Sequence, residues 1–136
     1  MIVPMLLSFA FLGDGVEIAS SSQIGGFTLN ALAVSPALVI KTTKGEKGLR
    51  FPDAGLELEL SSSVETADVK ACSFAGTVKV EALNSNDHVS DWAEISGNRC
   101  VDVRLRGLNF TQIRFTGGGN EGQIISVNSA LVVCEK

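Results

Sequence analysis

From Leu56 onward apolar and polar residues alternate with period two, the pattern of strands that bury one face and wet the other. In Leu56-Glu-Leu-Glu-Leu60 the leucines point one way and Glu57 and Glu59 the other. Gly76-Thr-Val-Lys-Val-Glu-Ala82 sets Val78, Val80 and Ala82 against Thr77, Lys79 and Glu81. Cys100-Val-Asp-Val-Arg-Leu-Arg106 sets Val101, Val103 and Leu105 against Asp102, Arg104 and Arg106, and Ile113 and Phe115 continue the pattern around Gln112, Arg114 and Thr116. The more uniformly apolar segments 123–127 and 130–134 read as strands covered on both sides. Turn residues separate these runs: Asn84-Ser-Asn-Asp87, Ser96-Gly-Asn98, Gly107 and Gly117-Gly-Gly-Asn-Glu-Gly122. Upstream, 27–34 and 37–40 supply one or two further strands, while 41–50 reads as a polar, glycine-containing loop. There is no helical pattern longer than two turns and no internal repeat. The pattern predicts an all-β chain, an antiparallel β-sandwich or jelly roll, with one domain over 25–136 and an apolar N-terminal arm or edge strand over 1–24.

Composition narrows the function more than the fold. With 45% hydrophobic and 19% charged residues the chain is neither disordered nor a membrane bundle. A net charge of -4 removes the basic footprint that phosphate backbones require, so no nucleic-acid partner is expected. The apolar start, 1–12, lacks the positive leading region of a signal peptide and is interrupted by Pro4 and by Gly13-Asp-Gly15. Neither export nor membrane insertion is expected. Cys72, Cys100 and Cys134 are odd in number and widely spaced, which fits neither a zinc knuckle nor a paired framework. They read as buried free thiols of a chain made in a reducing cytoplasm.

The sequence offers no candidate catalytic, cofactor-binding or metal-binding residues. His88, the only histidine, reads as a surface loop residue beside Asp87 and Asp91, and no Gly-x-Ser-x-Gly elbow supplies an activated serine. Glu57 and Glu59 read as ordinary solubilising charge on a strand. Gly117-Gly-Gly-Asn-Glu-Gly122 lacks the Lys-Ser/Thr ending of a phosphate loop and reads as a long hairpin turn. Asn84-Ser-Asn-Asp87 reads as a turn in preference to a calcium loop. Trp92, the only tryptophan, is expected to cap the core beside Ile95. Arg99, Arg104, Arg106 and Arg114 are candidates for a contact face toward an acidic partner, although outer-face charge is commonly just solvated.

Gly76-Thr-Val-Lys-Val-Glu-Ala-Leu-Asn-Ser-Asn-Asp87, Asp91-Trp-Ala-Glu-Ile95, Phe110-Thr-Gln-Ile-Arg-Phe115 and Gly122-Gln-Ile-Ile-Ser-Val127 follow one another in an order that resembles the galactose-binding-like, discoidin-type jelly roll, chiefly over 56–136. His88 stands where that family's turn often has Gly, and the flanking disulfide of extracellular discoidin domains has no evident counterpart. Small bacteriophage structural proteins are similar in the same elements. That resemblance implies a non-catalytic virion component: a head decoration or cement protein, or a neck, tail or fibre subunit. It implies major capsid or tail subunits as partners, self-association, and a virion location after synthesis in the host cytoplasm. The expected assembly interface is Ile2, Val3, Met5, Leu6, Leu7, Phe9, Phe11 and Leu12, because an exposed apolar arm is an aggregation liability unless a partner covers it. The alternative implied by the jelly roll is a carbohydrate-binding module. It would take a glycan in loops containing Asn84, Asn86, Asp87, His88 and Trp92, joined by 117–122.

Overall fold

The computed structural model describes residues 2–9, 11–33 and 37–132, except the side chains of 2–4, 108 and 130–132. Every described element is a strand: β1 (Ile2–Ser8), β2 (Glu17–Ile18), β3 (Ser22–Ile24), β4 (Phe27–Ala31), β5 (Leu38–Thr43), β6 (Glu46–Phe51), β7 (Leu56–Ser73), β8 (Thr77–Leu83), β9 (Val89–Ser96), β10 (Arg99–Gly117) and β11 (Gly122–Val132). All pairings among the described residues are antiparallel. The chain is an all-β jelly-roll sandwich.

Two long strands hold its leaves together. The start of β7 lies between β4 and the end of β10, with Leu58 opposite both Leu29 and Ile113. This first leaf continues from β10 to β8 and β9. The end of β7 lies between the start of β10 and β11, with Val69 opposite both Val103 and Val127. Beyond β11 the second leaf carries β6, β5 and β2 at one end and β1 at the other. A strand passes from leaf to leaf only by bending. In β10 the ladder shifts register on both sides of Phe110, next to Asn109 at φ 52°. Between the leaves, Phe51 of β6 meets Phe115 of β10 with ring centroids 5.8 Å apart and planes tilted by 50°. Leu56, Leu58, Val78, Val80, Ala82 and Ile113 belong to the same core, fully buried as the alternation predicts.

Three expectations change. Segment 41–50 is not a loop but the β5–β6 hairpin, turned by Lys44 and Gly45 at φ 53° and 81°, the paired positive values of a type I′ turn. The glycine run 117–122 is not a hairpin turn, because β10 and β11 each pair with β7 and not with each other. It is an arch from one leaf to the other. Asp53 pins it: the Gly117 and Gly119 amides donate to the Asp53 carbonyl and carboxylate at 2.9 Å each, and the Asp53 amide donates to Asn120 Oδ1 at 2.7 Å.

Cys72 and Cys100 are not free thiols. They face each other across the β7–β10 ladder and form a disulfide, which removes the ground for expecting a reducing compartment. Cys134 lies outside the described residues. The N-terminal segment, expected as an arm or an edge strand, begins with an edge strand of the sandwich. Seven residues of β1 pair with β11 from Ile2↔Val132 to Ser8↔Ser126. Met5, Leu7 and Phe9 point into the core, while Leu6 and Phe11 are exposed and Leu12 is half-buried. The side chains of Ile2 and Val3 lie outside the described residues.

Candidate functional site

The polar positions of the first leaf line up across its strands. Antiparallel register sets Trp92 of β9 opposite Glu81 of β8, Glu81 opposite Arg114 of β10, Arg114 opposite Glu57 of β7, and Glu57 opposite Asn30 of β4. The same alternation that sends Ile95, Val80, Phe115 and Leu58 inward turns this row outward. At ~4.8 Å per strand the row runs about 19 Å across the leaf. Its charges are paired: Arg114 Nη2 lies 3.0 Å from Glu57 Oε2, and Nζ of Lys79, beside the row on β8, lies 3.7 Å from Glu81 Oε2. Lys79 also sits over the Trp92 ring, 5.4 Å from its centroid.

Trp92 is therefore not a core cap. It is 54% exposed on the outer face, a flat apolar ring at one end of a row of hydrogen-bonding groups. Its backbone is fixed by Asp91, whose carboxylate accepts from the Trp92 amide at 2.9 Å and from the Arg106 amide at 2.9 Å, tying edge strand β9 to the β10 bend. Next to the row, Gln112 is set between Leu83 and Glu59 and leaves its Oε1 buried without a hydrogen-bond partner. A buried acceptor without a donor is uncommon in a folded protein. At the far side, Gln23, Thr28, Glu59 and Ser61 line a shallow depression of about 470 Å³.

The expected ligand loop divides. Asn84, Asn86, Asp87 and His88 form the tip of the β8–β9 hairpin, where Asn84 Oδ1 accepts from the Asn86 and His88 amides at 2.9 and 3.1 Å and is spent on the turn. Asn86, Asp87 and His88 are exposed around it, while Trp92 stands on the strand. The arch 117–122 starts at the opposite end of β8, with Gly117 facing Val78, so it does not join that loop in one site. The four arginines separate as well. Arg114 belongs to the first leaf, while Arg99, Arg104 and Arg106 lie on the other part of β10, where Arg104 pairs with Asp68 at 2.7 Å. That hydrogen bond, reinforced by the charges of Arg104 and Arg106, lowers the Asp68 pKa. Among the described residues no three His, Cys, Asp or Glu side chains gather to hold a metal ion. No described helix is long and apolar enough to cross a membrane.

No family model and no curated protein sequence matches the chain. Solved structures do. An arginine-substituted mutant of a family 29 carbohydrate-binding module superposes with a TM-score of 0.57 at 14% identity, covering 96% of this chain and 92% of that one. A mutant of such a module complexed with mannohexaose gives 0.53 at 12% identity over 96% and 92%. Another, complexed with cellulohexaose, gives 0.51 at 12% over 93% and 91%. The likeness spans nearly the whole of both chains and establishes the jelly-roll fold.

Proposed function

We propose that this chain is a non-catalytic carbohydrate-binding module that lays an extended glycan across the outer face of its first leaf. The observation that carries the reading is the exposed Trp92 at the head of the row Glu81, Arg114, Glu57 and Asn30. A sugar ring offers an apolar face to stack on an indole and hydroxyls that both donate and accept, and this row supplies carboxylates, a guanidinium and an amide at strand spacing. The structural neighbours support the glycan alternative over the virion reading. The Cys72–Cys100 bridge supports a place of action outside a reducing cytosol.

Trp92 is the sole tryptophan, so its intrinsic fluorescence reports from the proposed site without a label. Titration with manno- and cello-oligosaccharides is expected to shift or quench that emission in a saturable way. Trp92→Ala is expected to weaken binding by ~1.5–3 kcal/mol, roughly tenfold or more, while leaving the melting temperature near its original value because the ring is exposed. Binding that survives in Trp92→Ala with unchanged affinity would place the glycan elsewhere.

A further inference from the structure

The second leaf carries a separate depression that the Trp92 row does not touch. About 620 Å³ in volume, it is lined by Glu17, Val39, Lys41, Arg50, Asn120 and Glu121, with Phe51 at its base, where the 117–122 arch meets β5 and β6. Arg50 is positioned for use. Its Nη2 donates to Thr43 Oγ1 at 3.0 Å, Thr43 Oγ1 donates to Gln123 Oε1 at 3.4 Å, and the fully buried Gln123 is anchored through Nε2 to the carbonyls of Lys41 and Glu46 at 3.0 and 2.9 Å. Arg50 Nε is nevertheless buried with no hydrogen-bond partner, and among the described residues no carboxylate lies in ion-pair range of its guanidinium. A held guanidinium that lines the depression without a carboxylate partner offers an incoming carboxylate a charge-assisted hydrogen bond, and the unspent N–H beside it makes the unliganded arrangement unfavourable.

The rim decides which carboxylate. Lys41 adds a second cation, but Glu17 and Glu121 add two acids, so a compact dianion such as phosphate meets repulsion as well as attraction. A ligand with one carboxylate on a body rich in hydroxyls satisfies both: the carboxylate faces Arg50 and Lys41, and hydroxyls donate to Glu17 and Glu121. From this geometry we infer that the depression binds an acidic sugar, a hexuronate at the end of or within a glycan, independently of the Trp92 face.

The test titrates the full-length protein with oligogalacturonate, with a neutral oligosaccharide and with inorganic phosphate, following backbone amides and the Arg50 Nε–Hε signal by NMR. Oligogalacturonate is expected to shift the Arg50 signal saturably, and the neutral sugar is not. Arg50→Gln is expected to weaken uronate binding about tenfold or more, and Lys41→Gln, an exposed change that leaves Arg50 and its partners in place, several-fold. Trp92→Ala is expected to leave uronate affinity unchanged, which separates this site from the first-leaf reading. An Arg50 signal indifferent to oligogalacturonate, or a Lys41→Gln protein that binds it as the original does, overturns the assignment. So does phosphate binding as strong as that of the uronate, since the hydroxyl contacts would then count for nothing.

Discussion

At the scale of single residues, Asp91 shows how one side chain couples stability to the proposed site. Its carboxylate accepts two backbone amides from different strands, one of them that of Trp92. Asp91→Ala leaves both donors without that acceptor and is expected to cost about 1–3 kcal/mol by chemical denaturation. It is also expected to weaken glycan binding, because Trp92 loses its anchor. Asp68 is a smaller case. Its pKa is lowered first by the hydrogen bond from Arg104, so it contributes stability above the unfolded carboxylate pKa and loses it as pH falls through the lower folded value. Both side chains are more than half exposed, so the effect is small and screened. Asp68→Asn is expected to flatten the acid limb of the stability curve slightly at low salt, and to leave it unchanged in 1 M salt where the Debye length is ~3 Å. Trp92 also shows what the sequence held and what base rates hid. In Trp92-Ala-Glu-Ile95 the inward parity set by Ile95 puts Trp92 with Glu94 on the wet side. The general tendency of aromatics to be buried pointed the other way, and local parity prevailed.

At the scale of elements, the legible strands are those with one dry face. Leucines 56, 58 and 60, Val78 and Val80, and Ile113 and Phe115 bury as their alternation predicts. The hairpin at 41–50 was hidden because its outer residues are polar and its inward contribution is carried by few positions, chiefly Leu49. Edge strand β9 was hidden for the same reason, since only Ile95 of its eight residues is buried. Gly48 has an extended role that no turn explains: a side-chain carbon there would collide with the Ile124 carbonyl, because β6 and β11 approach closely at that point. Gly48→Ala is expected to destabilise by about 1–3 kcal/mol, read as a lowered urea midpoint. The disulfide is illegible in spacing, because 28 residues separate two cysteines that only the β7–β10 register makes opposite. For a loop of that length the chain-entropy model gives ~3–4 kcal/mol, so Cys72→Ala with Cys100→Ala is expected to lower the melting temperature by several degrees or more. The candidate site was half legible in the same way: the outward residues of each strand could be named, but their alignment into one row depends on register between strands distant in sequence.

At the scale of the whole molecule, the N-terminal segment decides between a module and an assembling subunit. An arm designed for a neighbour is dispensable to its own fold, and its removal leaves a folded monomer. Here seven residues of β1 pair with β11, and Met5, Leu7 and Phe9 each bury against the core. At ~1.5–3 kcal/mol per large buried side chain, their loss is of the order of a domain's entire stability. Deletion of 1–12 is therefore expected to abolish cooperative unfolding and near-ultraviolet circular dichroism. What remains available to a partner is the outward set, Leu6 at 56% and Phe11 at 71% exposure, and the backbone edge of β1, which among the described residues pairs only with β11. Pro4 within that strand removes one amide, a feature that discourages edge-to-edge joining. Full-length protein carrying Leu6→Ser and Phe11→Ser keeps the buried side chains, so it separates association from folding. If light scattering gives the same monomer mass for this protein and the original, the exposed pair is incidental and the glycan reading accounts for the surface. If the original associates and the double substitution does not, the same molecule uses one leaf to bind and its edge strand to assemble.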